Sequence, residues 1–111
     1  MKNVPLFVVL GKWTGQGIRN VQNVPERAQK TRTMFEKAGG KIHLYYTLGE
    51  YDFVGIVEVP SDEDVAKILL CLGSMGNIRT KTMKAWTEAE FTKALSEGHS
   101  FEKYFEKQQP L

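Results

Sequence analysis

Two five-residue runs, Leu6-Phe7-Val8-Val9-Leu10 and Phe53-Val54-Gly55-Ile56-Val57, are apolar at odd and even positions alike. Side chains of a strand point alternately to its two faces, so a strand in a sheet covered by helices on one side should alternate apolar and polar. These two do not. Each large apolar side chain left in water forfeits about 1.5–3 kcal/mol. Leu6, Val8, Leu10, Val54 and Ile56 together would forgo on the order of 10 kcal/mol, comparable with the net stability of a whole domain. Three arrangements answer this: a C-terminal helix folded across the second face, a partly exposed sheet, or the sheet of a second copy. The second copy is the expectation, and the chain is read as a homo-oligomer.

Around these runs the hydrophobic period assigns the other elements. Val4 to Lys12 is a first strand, followed by a loop through Trp13-Thr14-Gly15-Gln16-Gly17. Pro25 opens a helix through Lys37 with Ala28, Arg32, Phe35 and Ala38 on one face, and Gly39-Gly40 stops it. Lys41 to Leu48 alternates, with Ile42, Leu44, Tyr46 and Leu48 on one side and His43, Tyr45 and Thr47 on the other. Asp52 to Val59 pairs with it as a hairpin across the Gly49 turn. Ser61 with Asp64 forms a capping box for a second helix carrying Val65, Ile68, Leu69 and Leu72. Ile78 to Trp86 is the fourth strand, and Thr87 with Glu90 caps a last helix with Phe91 and Leu95. Strand, helix, strand, strand, helix, strand is the split βαβ unit. Right-handed crossovers then give an α+β, ferredoxin-like sandwich with an antiparallel sheet of order 4-1-3-2 and an added C-terminal helix. The chain reads as a single domain over residues 1–97 and a tail over 98–111, where Gly98 breaks the helix and Phe101, Tyr104 and Phe105 recur at helical spacing as core or interface material.

Composition narrows the function classes. With 111 residues, 41% of them hydrophobic, there is material for one core. Fifteen Lys and Arg against thirteen Asp and Glu leave a formal charge of +2, too little for affinity driven by a phosphate backbone. The single cysteine, Cys71, lies in the apolar run Ile68 to Leu72, reads as a small buried hydrophobe and fits a reducing, cytoplasmic compartment. Met1-Lys2-Asn3 ahead of Val4 to Leu10 suggests a signal peptide only superficially, since Pro5 and the β-branched residues suit a strand and no clean cleavage site follows. No run approaches the ~18 apolar residues of a membrane span, so no membrane partner is expected.

Three separated blocks carry a resemblance. They are Leu10-Gly11-Lys12-Trp13-Thr14-Gly15-Gln16-Gly17-Ile18-Arg19-Asn20, then Tyr46-Thr47-Leu48-Gly49-Glu50-Tyr51-Asp52-Phe53-Val54, then Leu72-Gly73-Ser74-Met75-Gly76-Asn77-Ile78-Arg79-Thr80. From about Pro5 to Glu90 the chain closely resembles the GYD family of small bacterial and archaeal proteins, with Glu50 standing between the Gly and the Tyr of the naming tripeptide. The resemblance implies a dimeric α/β barrel, in which ferredoxin-like subunits pair sheet to sheet around a cavity. The wider group includes cofactor-free monooxygenases, isomerases, haem enzymes and ligand binders, so it selects no reaction.

In the sheet order 4-1-3-2 the polar residues collect at one rim. Lys12 and Trp13 close strand one, Thr47 lies near the end of strand two, Glu50, Tyr51 and Asp52 open strand three, and Asn77, Arg79 and Thr80 open strand four. Glycines 11, 15, 17, 49, 73 and 76 crowd the same rim. One reading is a pocket for a small anionic or carbonyl ligand, with Lys12 and Arg79 as electrostatic anchors, Asp52 as candidate general base, Trp13 and Tyr51 as walls, and Thr47 and Thr80 beside them. The other needs no ligand: Lys12 and Asp52 form a cross-strand ion pair and the glycines build turns. Function therefore divides between a homo-oligomeric small-ligand-binding or interaction module and a cofactor-free enzyme for proton transfer or oxygenation of a small carbonyl compound. A buried, unpaired Asp52 or Glu58 beside a pocket would favour the enzyme.

Other signals are weaker. His43, His99 and Cys71 do not make a metal site, and neither a metal nor a cofactor is expected. Gly15 to Asn20 lacks the third glycine of a dinucleotide fingerprint, and Gly11-Lys12 lacks the hydroxyl residue and upstream glycine of a P-loop. RNA-recognition domains share this element order, and Tyr51, Phe53 and Val54 mimic their stacking positions. Glu50 and Asp52 would repel phosphate there, so no nucleic-acid partner is expected.

Overall fold

The computed structural model describes residues 4–97. Its elements are β1 (Leu6–Trp13), α1 (Gly15–Arg19), a 3-10 turn (Val21–Asn23), α2 (Val24–Lys37), β2 (Lys41–Tyr46), β3 (Phe53–Glu58), α3 (Asp62–Ser74), β4 (Ile78–Ala85) and α4 (Glu88–Ser96). The strands form one antiparallel sheet of order β2-β3-β1-β4, which is the expected order read from the other edge. His99 and the expected aromatic stripe of the tail lie outside the described residues.

Alternation along the central strands sets the layers. Phe7 and Val9 of β1 and Val57 of β3 are buried and pack with Phe35 of α2, Val59, and Val65 and Ile68 of α3. Phe35 and Val57 are the hub, at 1% and 0% exposure. The intervening residues Leu6, Val8, Leu10, Val54 and Ile56 are half-buried on the opposite face, away from α2 and α3, and the last helix comes near it only at the Leu6 end. Their mutual shielding on a flat sheet makes the cost of leaving them open smaller than full exposure implies. Register fills in that face: Tyr45 lies opposite Val54, His43 opposite Ile56, Met83 opposite Val8 and Ala85 opposite Leu6.

Three local expectations change. The Gly-punctuated segment after β1 is not a loop throughout, because Thr14 N-caps a short helix through the Gly17 N–H and turns it into α1. The cap of α3 is half of a box: the Ser61 hydroxyl accepts from the Asp64 N–H but donates to the Glu63 carboxylate, Asp being one methylene shorter than the usual Glu. Cys71 is exposed rather than buried. A helix turns once in about 3.6 residues, so the five-residue run Ile68 to Leu72 wraps all the way round α3 and cannot all face the sheet. Ile68, Leu69 and Leu72 take the inner side, leaving Cys71 and Leu70 outside.

At the C-terminal end Thr87 and Glu90 form the full capping box expected for α4. The helix then projects from the sheet with every residue except Glu90 exposed, Phe91 at 54% and Leu95 at 46%. Nine isolated residues make a marginal helix in water, so α4 is a cap-stabilised arm whose apolar side has no partner among the described residues.

Candidate functional site

The register places the ends of β1 and β2 and the starts of β3 and β4 at one end of the sheet, as the sequence predicts: Trp13 pairs with Ile78, and Phe53 with both Gly11 and Tyr46. Side-chain alternation nevertheless divides that rim between two faces. Lys12 and Arg79 face each other across β1 and β4 on the open side, two like charges in direct opposition. Trp13 and Thr80 turn to the helix side and line a cavity there.

Thr47, Tyr51 and Asp52 build the β2–β3 turn. The Thr47 hydroxyl donates to the Tyr51 carbonyl at 2.6 Å, and the Thr47 N–H donates to the Asp52 carbonyl at 2.9 Å. The Asp52 N–H donates to the Gly11 carbonyl at 2.8 Å, and its carboxylate accepts from the Trp13 N–H, also at 2.8 Å. Asp52 thus extends the pairing of β1 with β3 by one step. The expected Lys12–Asp52 ion pair is not formed among the described residues, because the Trp13 N–H holds the carboxylate and the Lys12 ammonium lies 5.4 Å from the centre of the Tyr51 ring. Asp52 and Glu58 are both half-buried and neither lines the cavity.

The cavity lies between the sheet and helices α1, α2 and α3, with a volume of about 440 Å³. Two glycines shape its floor. A Cβ on Gly11 would run into the Phe53 ring, and one on Gly55 would sit 3.0 Å from the Ile42 Cδ1. With no Cβ at Gly11 the far end of the Phe53 ring settles against β1, and the ring meets Trp13, centres 5.3 Å apart, while Trp13 stacks on Tyr46 at 6.2 Å. Phe53 therefore faces the helices and not an open platform, which removes one of the three stacking positions that an RNA-binding sheet would need.

The roof is a knot between two of the glycine-rich blocks. The Thr14 N–H donates to the Asn77 carbonyl at 3.0 Å and the Thr14 hydroxyl to the Gly76 carbonyl at 2.6 Å. Gln16 Nε2 donates to the Met75 carbonyl and to Asn77 Oδ1, both at 3.0 Å. Gly17 has no room for a Cβ against the Asn77 carbonyl, and Gly76 holds a φ of 86°, a conformation that glycine enters without strain. These glycines are where the backbones of α1 and the α3–β4 turn touch.

The residue that sequence reasoning missed is Arg27, on the inner side of α2. Its guanidinium carbon lies 5.8 Å from the centre of the Trp13 ring and Nη1 donates to the Asn20 carbonyl at 2.7 Å. Nη2 is buried and finds no acceptor among the described residues. A charged donor left unpaired away from water costs more than the ~1–3 kcal/mol of a neutral one. In the sequence Arg27 stands one residue before Ala28 in an ordinary amphipathic helix and reads as a solvated flank. Only the fold brings it over Trp13. The rest of the lining is mainly apolar, from Val9, Met34, Ile42, Leu44, Leu72 and Ile78 among others, and its one carboxylate is the exposed Glu26. Among the described residues no three His, Cys, Asp or Glu side chains gather as a metal would require, and no helix is long and apolar enough to cross a membrane.

The GYD domain model matches residues 7–95. The chain belongs to the GYD domain family. A relative from Thermus thermophilus, named glutamine synthetase and cystathionine beta-lyase binding protein, is 34% identical over 84 residues, spanning 74% of this chain and 88% of the relative. No solved structure matches the chain. The match takes in the open sheet face, the cavity and nearly all of α4, so the features described above are those of the GYD domain as this chain builds it.

Proposed function

We propose that this single-domain protein is a cytoplasmic, homo-oligomeric interaction module, in which two copies pair their open sheet faces and the particle docks on metabolic enzymes. One observation carries the reading: the uncovered face of β1 and β3 is wholly aliphatic at its centre, while α4 extends beside it with Phe91 and Leu95 unburied. A four-stranded face about eight residues long measures roughly 26 by 19 Å, on the order of 500 Å² in plan. A stable interface takes about 800 Å² from each partner. A second copy that packs against the sheet and under α4 supplies the difference, and it is the occupant whose flat, aliphatic surface matches this one.

Partner enzymes are suggested by the name of the Thermus relative. Lys12 and Arg79, opposed at the edge of the aliphatic face, fit the carboxylates of a docked protein surface. The small anionic or carbonyl ligand belongs on the other side of the sheet, in the cavity that Trp13 and Thr80 line. An enclosed general base would favour catalysis, but Asp52 lies outside the cavity on the Trp13 N–H and Glu26 is exposed, so the geometry supports binding over proton transfer. A mostly aliphatic open face likewise supports a protein partner over a nucleic acid, which needs aromatic stacking positions.

The test is the mass of the full chain in solution across a range of concentrations, together with titration against purified glutamine synthetase and cystathionine beta-lyase. A dimer or higher oligomer is expected, with binding to at least one of the two enzymes. Ile56→Lys, at the centre of the open face and away from the core, should give folded monomers with an unchanged circular dichroism spectrum. A wild-type chain that stays monomeric, or an Ile56→Lys variant that still assembles, overturns the sheet-to-sheet pairing. Binding to neither enzyme overturns the docking role.

A further inference from the structure

One hydrogen bond holds the Arg27 guanidinium before any ligand arrives. Its Nη1 donates to the Asn20 carbonyl, its carbon lies 5.8 Å from the centre of the Trp13 ring, and Nη2, closed to solvent, has no acceptor among the described residues. It sits at the wall of a cavity of about 440 Å³, within the range of small-molecule sites, whose remaining surface is mostly aliphatic and aromatic. We propose that this cavity binds an organic monocarboxylate with an apolar body, the Arg27 guanidinium turning Nη2 toward the cavity to donate to the carboxylate and the body lying against Trp13, Tyr46 and Phe53. The proposal rests on the ligand-binding part of the reading above and names the ligand's class; it does not depend on pairing of the open faces, because every lining residue belongs to one chain.

The chemistry selects among anions. A phosphate dianion calls for several converging donors or cations. Here Nη1 is already engaged, the Gln16 amide and the Thr31 hydroxyl donate within the chain, Lys30 and Glu26 are exposed residues of opposite sign, and most of the lining is apolar although Asn20, Asn23, Asn77 and Thr80 also border it. One remaining charge-assisted donor above an apolar space matches one carboxylate and a hydrocarbon or aromatic remainder. A neutral amide of the same shape fills the same space but presents no charge to Nη2, so the carboxylate should be preferred by about tenfold.

Trp13 reports on the site directly, because it is one of only two tryptophans and the other, Trp86, is exposed outside the cavity. In a Trp86→Phe background, titration with phenylacetate and hexanoate should change the Trp13 emission saturably, and phenylacetamide and hexanamide should bind about tenfold more weakly. Arg27→Gln should abolish that preference while leaving amide binding in place, and Arg27→Lys should keep part of it. The comparison of acid with amide in the Arg27 protein stands even if a variant fails to fold. Equal binding of acid and amide, or an acid preference that survives Arg27→Gln, overturns the role of Arg27 alone. Binding of neither acid nor amide overturns the cavity as a ligand site altogether, whatever the oligomeric state.

Discussion

Val8 and Val9 are adjacent on β1 and chemically identical, yet the two faces they occupy are built on different terms. Val9 is locked among Phe35, Val57 and the helices, on a face where glycines and aromatic rings leave a cavity. Val8 lies half-buried on a flush aliphatic surface between Ile56 and Met83. The covered face spends apolar side chains on holding one chain together and reserves space for a guest. The open face is shaped for a surface like itself. Apolar content alone does not separate these uses; glycine placement does, because Gly11 and Gly55 both point their missing side chains to the helix side.

The comparison breaks most sharply at Gly11. Gly11→Ala puts a methyl group where the Phe53 ring lies, and overpacking of this kind costs about 3 kcal/mol at the upper end of its usual range. Phe53 is the ring that supports Trp13, so Trp13 emission should shift together with the fall in the urea midpoint. A variant with wild-type stability and emission would mean that the floor of the cavity yields easily, and the contrast between a shaped face and a flush one would be lost.

A matched pair of truncations sharpens it. Val9→Ala should cost about 2 kcal/mol at any protein concentration, since its partners are all within the chain. Val8→Ala should cost less than about 1 kcal/mol in dilute solution and approach the Val9 value as concentration rises, because what completes its burial is a second molecule. Urea unfolding at two widely separated concentrations measures both. Equal and concentration-independent costs would show that the open face is complete as it stands.

The fold was legible because its signals are local and redundant. Periodicity, the Thr87–Glu90 box and the two-faced runs of β1 and β3 each fix an element, and the split βαβ order follows from them. The rim was legible as a place but not as a site. Sequence order puts Lys12 next to Trp13, yet a strand sends consecutive side chains to opposite faces, so the cation and the indole could not serve one pocket. Asp52 looked like a base because its backbone partner, the Trp13 N–H, is 39 residues away in sequence. Arg27 went unseen for the same reason, since its position over Trp13 is a long-range product of packing α2 on the sheet. Cys71 shows the converse error, where a continuous apolar run on a helix was read as if all of it faced inward.

The most local expected effect concerns α4, which belongs to neither layer of its own chain. Removing the capping hydroxyl with Thr87→Ala should cost the helix about 1 kcal/mol and leave the sheet untouched, because the Thr87 side chain bonds only within the first turn of α4. If α4 closes over a second copy, that loss appears twice. Amide hydrogen exchange from Phe91 to Leu95 should quicken, and the dissociation constant of a pair should rise about thirtyfold, because each of the two chains loses about 1 kcal/mol. Faster exchange with an unchanged dissociation constant would make α4 an independent arm and leave the open face to be covered by the sheet of the second copy alone. No change in either would mean that the helix is held by contacts other than its cap, and the area deficit of the sheet face would have to be met elsewhere.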